Sequence, residues 1–523
     1  LFLLGLCVMI TLFIATSIST FTIWKICMFT NKIGAEISER LYTHYLKQDL
    51  LFHSSGSSAI LINKIAIDTI RVTSAILLPL MNLNAKSILA LLMVLSIFAF
   101  NPFVAIIIFT IFGISYSILF TFVRMRLLRN GRIITMVNEK RFRLMNEGFG
   151  GIKDVLLLGR DIDFINRFNE TGNTLAKSLG TNDALASVPR YIMELVAFGS
   201  MIAVVLFLIV YYENNLGLIL PILSVYALAG VKLLPAFQSI YTCIAKIRAS
   251  TPAFESIEHD LINSKEIKYS PSVQKHTLIA PKKHISLENI TFKYPDKEDK
   301  VLSEVNMLIP VNNVIGIVGP SGSGKSTLVD ILLGLIEPQH GNLKIDGEVI
   351  DKKNCRSWQN SIGFVAQSIF LSEGSIAENV AFGIPHDQIN HNKVHQALRL
   401  ANLNELIDSL DEGIHTKVGE RGVQLSGGQR QRIGIARALY YKSAVLVFDE
   451  ATSSLDGISE KIIMEAINNF SGKKTIIMIA HRLSTVQKCD QIFFLDKGKV
   501  IDKGTYQELI ETNEYFRNMA ANA

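Results

Sequence analysis

The stretch Val314-Ile315-Gly316-Ile317-Val318-Gly319-Pro320-Ser321-Gly322-Ser323-Gly324-Lys325-Ser326-Thr327 decides the fold of the second half of the chain. Five apolar, β-prone residues predict a buried strand; the apolar run Leu328 to Leu335 predicts a helix. Between them lies G-x-x-x-x-G-K-[ST] in the strand-before, helix-after context that gives the motif its meaning. The glycines let the backbone curl so that successive N–H groups of Gly319, Ser321, Gly322, Ser323 and Gly324 point at phosphate oxygens beside a helix N-terminus. Lys325 adds charge, and Ser326 and Thr327 add hydroxyls, of which Ser326 is placed to reach a Mg²⁺ ion. The expected domain is therefore an α/β P-loop domain.

Two further signals lie downstream. Ala444-Val445-Leu446-Val447-Phe448 is a second buried strand ending in Asp449-Glu450, carboxylates placed to hold a metal ion and to orient or deprotonate a water. Between the strands, Leu425-Ser426-Gly427-Gly428-Gln429 precedes an apolar-periodic helix starting near Ile433. In this order the three motifs resemble the ATP-binding cassette (ABC) family, with the resemblance covering residues 285–515. The resemblance implies ATP and Mg²⁺ as ligands, Glu450 and His481 as catalytic groups, and Ser326, Gln367 and Asp449 around the metal. It also implies Tyr294 stacking on adenine and Ser453-Ser454-Leu455-Asp456 communicating across a dimer. Ser426, Gly427, Gly428 and Gln429 then complete the phosphate loop of a second copy, paired head to tail. With one cassette in this chain and Glu450 and His481 both present, the expected assembly is a homodimer with two competent sites.

The first half reads differently. Of the 523 residues 49% are hydrophobic and only 19% charged, with a mean hydropathy of +0.31, more apolar than an ordinary soluble domain. Lys plus Arg exceed Asp plus Glu by 52 − 46 = 6 with no long basic run, so nothing points to nucleic acid. Five scattered cysteines without paired spacing indicate neither a disulfide framework nor a zinc site. Membrane-length apolar runs occur at 1–24, 75–100, 103–123, 190–212 and 217–240, which excludes a soluble cassette protein. The connections around 101–102 and 211–217 lack Lys and Arg, whereas Lys25 to Arg71 and Arg124 to Arg190 are basic. The positive-inside rule then places the long loops and the P-loop domain in the cytoplasm. An even number of spans fits two cytoplasmic ends, so a sixth span ahead of Leu1 is expected. The reading is an all-α transmembrane bundle over 1–250, a linker over 251–284 and a nucleotide-binding domain over 285–523. Short helices near Asp49 to Ser57 and Leu158 to Phe164 are the expected coupling elements.

Fusion of spans ahead of a cassette resembles the exporters of the family (type 1 exporter fold) in a multi-pass cell-membrane protein, inner membrane if bacterial. Ionisable residues in or beside spans, Lys86, Arg190, Glu194 and Lys232, together with Arg124 of the Arg124 to Arg132 cluster, are the candidate substrate contacts, since charge in hydrocarbon faces a cavity or a partner. Arg190 and Glu194, spaced i, i+4, can equally pair with each other. Ser187 to Glu194, Lys232 to Pro235 and Gly151 to Asp154 resemble PglK-type lipid-linked oligosaccharide flippases, which implies a polyprenyl-pyrophosphate-linked glycan as cargo, together with membrane lipid as a partner. An exporter of another lipid, a drug or a peptide, and an ATP-gated regulator or channel subunit, are the alternatives.

Overall fold

The computed structural model describes residues 2–100, 102–211, 216–266, 278–295, 297–419, 422, 425–450, 460–461, 464–465, 470–480 and 482–521. Within helices it leaves aside the side chains of 4, 100, 103–105, 107–109, 112, 201, 204, 207, 208, 210, 211, 216–230, 232 and 266. The chain divides into two compact units, residues 1–270 and 271–523.

The first unit is helical: α1 (Phe2–Leu46), α2 (Leu50–Ser55), α3 (Ser58–Asn63), α4 (Thr69–Val72), α5 (Leu78–Phe100), α6 (Pro102–Gly150), α7 (Ile152–Leu157), α8 (Asp161–Ser187), α9 (Pro189–Tyr211) and α10 (Leu216–Asn263). Among the described residues, Gly5–Leu46 and Ser58–Ala99 are long and apolar enough to cross a membrane, each 42 residues, at mean hydropathy 2.1 and 1.7. The expected runs 103–123 and 217–240 fall within α6 and α10, and 190–211 of the run 190–212 within α9; many side chains there lie outside those described. A helix of 45 residues such as α1 is about 68 Å long against an apolar bilayer core of about 30 Å. Its polar end, from Asn31 onward, therefore extends into water.

Packing departs from the composition in two places. The polar stretch from residue 251 predicts a linker, yet α10 continues to Asn263. Ala253 and Ile257 are fully buried with Leu261 beside them, an i, i+4, i+8 stripe against Leu41, Tyr45 and Val72. The surface of a helix has the polarity of a loop, so the linker boundary moves downstream. Second, the expected coupling element at Leu158 to Phe164 holds a turn at Gly159, with φ +61°, and the start of α8; the short helix is α7, just before it. α2 lies where the other was expected.

Close approach fixes the α6–α10 contact: a Cβ on Gly131 would run into the carbonyl oxygen of Ala249. Deeper in the polar part, charges are buried together. The Tyr45 hydroxyl donates to Asp260 at 2.7 Å and Lys64 Nζ to the same carboxylate at 2.8 Å. Asp68, 1% exposed, accepts from Ser256 at 2.8 Å and Asn63 at 3.3 Å and faces Arg71 at 3.5 Å, while Arg71 donates to Thr135 at 2.8 Å. The backbone here leaves regular α geometry, with π turns at Lys64–Asp68 and Thr73–Leu77. Such insertions re-aim side chains within a helix.

The second unit has two sheets. An antiparallel sheet ordered β2-β1-β4-β5 contains β1 (His284–Phe292), β2 (Leu302–Pro310), β4 (His340–Ile345) and β5 (Glu348–Val349). A mainly parallel sheet ordered β10-β9-β3-β8-β7-β6 contains β3 (Val314–Val318), β6 (Ile362–Val365), β7 (Val445–Asp449), β8 (Thr475–Ile479), β9 (Gln491–Asp496) and β10 (Lys499–Gly504). β3 and β8 are buried at every position, as central parallel strands covered on both faces are. The core continues under the helix Gly427–Tyr440 through Ile433, Ala436 and Leu439.

Asp346 fastens the start of β1. Its carboxylate accepts the backbone N–H groups of Lys282, Lys283 and His284 at 2.7, 2.7 and 2.9 Å. Desolvation pushes this carboxyl up, but the three donors outweigh it and hold it below the ordinary carboxylate range. A depressed folded-state pKa contributes stability above the unfolded value of about 3.9 that is lost as pH falls through the folded value. Asp346→Asn, which keeps the shape and tolerates the local φ of 51°, should lower the unfolding midpoint of the full chain at pH 7, followed by Trp358 fluorescence. The gap to wild type should close on acidification; equal midpoints at pH 7 would remove Asp346 from this role.

Candidate functional site

β3 ends at Val318, and the loop that begins at Gly319 delivers the chain into α11 (Lys325–Leu332). Gly324 caps the helix at φ +101°, where a Cβ would also press on Leu302 and the Val301 carbonyl at 2.9 Å. A Cβ on Gly319 would collide with the Leu495 carbonyl. Only glycine permits this path of the loop.

Lys325 is 5% exposed, and its Nζ donates to the carbonyls of Gly319 and Pro320 at 2.9 and 3.0 Å. Burial pushes its pKa down, against the upward pull of Glu450 and Asp449. The ammonium is held inside the loop it belongs to. The Ser323 hydroxyl, in a residue 3% exposed, is buried without a hydrogen-bond partner. A buried orphan hydroxyl beside a buried cation in a curl of N–H groups fits a phosphate. Ser321 and Gly322 on the same loop, and Ser326 in the first turn of α11, are exposed, and Thr327 is buried, sharing a hydrogen bond of 3.1 Å with the Tyr294 hydroxyl. The Tyr294 ring stands edge-on to Phe292 at 5.1 Å.

β7 carries Asp449 and Glu450 to the same end of the sheet, since β7 and β3 both pair in parallel with β8. Glu450 takes the left-handed region at φ +48° and donates its N–H to the Ile479 carbonyl at 3.0 Å. That turn swings its side chain off the strand direction, and Gln367 Nε2, just beyond β6, donates to Glu450 Oε2 at 2.7 Å. The structure thus brings Lys325, Asp449, Glu450 and Gln367 to one sheet edge. Ser326, Asp449 and Gln367 offer only oxygen acceptors to a cation, the donor set suited to Mg²⁺.

Ser426 caps the helix Gly427–Tyr440 in a reciprocal box with Gln429: Ser426 N–H donates to Gln429 Oε1 at 2.8 Å, and Gln429 N–H to Ser426 Oγ at 3.2 Å. A Cβ on Gly427 would meet nothing within 4 Å, so this helix start faces open space. Gln431, one turn on, donates to the Ala366 carbonyl at 3.4 Å next to Gln367. His481 and Ser453 to Asp456 lie outside the described residues.

In the helical unit, Arg190 Nε donates to Glu194 at 2.8 Å, and Gln238 reaches the same oxygen at 3.5 Å. The i, i+4 pairing weighed from sequence is what forms. Lys86 is half-buried on α5 and Arg124 exposed on α6, and neither lines the cavity at Arg190; the Lys232 side chain lies outside those described. A cavity of about 410 Å³ is lined by Tyr116, Arg190, Gln238 and Tyr241. A larger one, about 780 Å³, opens between α6 and α8, lined by Phe122, Met125, Arg126, Arg129, Lys177 and Thr181 among others. The arginine cluster was legible; Lys177 was not, because it is one cation among the mixed polar and apolar residues of α8, and the stripe Thr174, Lys177, Ser178, Thr181 stands out only once its facing helix is known.

Residues 302–453 match the family model described as ABC transporter. Over 517 residues the chain is 27% identical to an ATP-dependent lipid A-core flippase of Alkalilimnicola ehrlichii, covering 98% of this chain and 86% of that protein. A protein of the same name from Cupriavidus pinatubonensis is 28% identical over 498 residues, 95% and 83% of the two chains. The fold matches a bacterial Atm1-family ABC exporter solved with ATP bound at a TM-score of 0.80, with 22% identity, over 95% of this chain and 86% of that one.

Proposed function

We propose that this chain, an ABC transporter of the exporter fold, is one half of an ATP-driven lipid translocator whose cargo carries an anionic, phosphate-bearing headgroup. One observation carries the reading: a phosphate loop with a buried Lys325 stands in the same chain as helical runs of membrane length. ATP hydrolysis is coupled to movement across the bilayer, with the cassette on the cytoplasmic side of a cell membrane.

Lys325 and the N–H groups of Gly319 and of Ser321 to Ser326 hold the phosphates, and Tyr294 stacks on the adenine base. Glu450 accepts a proton from the attacking water, positioned by Gln367. His481 contacts the γ-phosphate. Ser326, Asp449 and Gln367 hold Mg²⁺, which when bound offsets phosphate charge. Ser426, Gly427, Gly428 and Gln429 form the second wall of the site on another copy of the chain, which the empty space beside Gly427 accommodates. ATP drives transport only through different affinities for the two conformations of the bundle.

The lipid class draws on relatives named as lipid A-core flippases, matched over most of their length; a polyprenyl-pyrophosphate-linked glycan is a second anionic, phosphate-bearing lipid. Reconstitution in proteoliposomes, with movement of each lipid followed alongside hydrolysis, tests the proposal. ATP-dependent movement of either lipid, abolished with Lys325→Ala, is the expected result. Hydrolysis without movement of any phosphate-bearing lipid would return drug or peptide export to the front.

A further inference from the structure

We infer that the cleft between α6 and α8 is a docking site for the phosphate of an anionic lipid headgroup from the cytoplasmic leaflet, the loading position of the cargo. The inference rests on the lipid-translocator reading. Arg126 and Arg129 from α6 and Lys177 from α8 line the cleft, with the Thr174, Ser178 and Thr181 hydroxyls, and no carboxylate is among the lining residues. Phe122, Met125/Arg126, Arg129 and Ile133 recur at helical spacing, so one stripe of α6 faces a matching stripe of α8. The two helices are tied by Asn130 donating to Asn182 at 3.0 Å.

The charge here is uncompensated. Several other basic side chains of the unit are engaged: Arg190 with Glu194, Arg71 with Asp68, Lys64 with Asp260, and Arg141 over the Phe168 ring at 3.9 Å. Among the described residues Arg126, Arg129 and Lys177 enter no ion pair. Three cations held together without a counter-ion repel one another, and a dianionic or monoanionic phosphate removes that cost while gaining charge-assisted hydrogen bonds.

Position argues for a lipid. The cleft begins where the apolar run 103–123 ends, at the depth of the headgroups, and Phe122 and Met125, 82% and 64% exposed, project apolar surface beside it. A basic pocket with an apolar lip at the cytoplasmic interface is the arrangement that recognises anionic headgroups. At about 780 Å³ it lies within the size range of ligand pockets. Arg124 and Arg132, in the same cluster, do not line the cleft and serve topology.

The test uses the full chain in phosphatidylcholine nanodiscs carrying a photoactivatable phosphatidylglycerol, with labelled peptides mapped. Label is expected on the peptides spanning 122–133 and 174–181. It should fall at least tenfold in R126A/R129A/K177A, persist in R126K/R129K, and stay unchanged in R132A. A photoactivatable phosphatidylcholine should label at least tenfold less, and excess inorganic phosphate should not displace the lipid. Equal labelling by both lipids, undiminished labelling of the triple alanine variant, or displacement by inorganic phosphate overturns the proposal, the last assigning the cleft to a free anion. Lipid movement separates the two readings. A wild type that moves lipid as well as its triple variant does overturns the loading role; a wild type that labels in the cleft but moves no lipid overturns the translocator reading and leaves the headgroup site standing.

Discussion

Lys325→Ala should weaken ATP binding by about 30- to 150-fold while leaving the cassette folded. A charge-assisted hydrogen bond is worth roughly 2–3 kcal/mol, and Lys325 is the cation enclosed by the loop itself, bonded to the carbonyls of Gly319 and Pro320. Those carbonyls lose a donor in the variant, but they lie on a loop that water can reach around the exposed Ser321 and Gly322. The folded state is therefore affected less than the ligand. Nucleotide titration of the full chain, with the unfolding midpoint measured in the same sample, separates the two effects. Unchanged affinity would mean that the glycine-lined N–H groups alone hold the phosphates, and that Lys325 is a structural tie of the loop.

Glu450→Gln should reduce ATP turnover by about 10²- to 10⁴-fold, the usual contribution of a positioned general base, with nucleotide affinity nearly unchanged. The substitution keeps an oxygen that can accept from Gln367 Nε2, now 2.7 Å from Glu450 Oε2, so the geometry survives while basicity does not. The left-handed φ of +48° at this position bears alike on two side chains of the same shape. Steady-state hydrolysis and nucleotide titration, read together, check it. A fall of less than tenfold would move the base to another group. A parallel loss of affinity would mean that the negative charge, which raises the pKa of Lys325 against the effect of burial, acts in binding.

How far each element was legible follows from its physics. The phosphate loop was readable because its requirements are local: a strand, glycines where a Cβ cannot fit, a lysine and a helix. The side-by-side placement of β7 and β3 around β8 was not local, and only the order of motifs anticipated that Asp449 and Glu450 would arrive beside Lys325. The reach of α10 through residues 251–263 was hidden because an exposed helix surface and a linker share a composition; the stripe Ala253, Ile257, Leu261 carried the signal. Substrate contacts were the least legible. Hydropathy flags a charge in an apolar run but cannot tell Arg190, neutralised by Glu194 at 2.8 Å, from Arg126 and Arg129, which share an open cleft with Lys177.

The buried charges that join Tyr45, Lys64, Asp68, Arg71, Thr135, Ser256 and Asp260 also bear on how the protein is made. Their sequence numbers span the whole helical unit, and both Ser256 and Asp260 sit in its last helix. During synthesis from the N-terminus, Asp68 emerges with Asn63 and Arg71 beside it but long before Ser256, and Lys64 long before Asp260, and an unpaired charge in a packed interior costs several kcal/mol. Native packing of the early helices is therefore incomplete until the last helix of the unit arrives. That helix acts as the clasp of the unit, its serine and carboxylate completing the partners of Asp68 and Lys64 while the nucleotide-binding unit is still to be made.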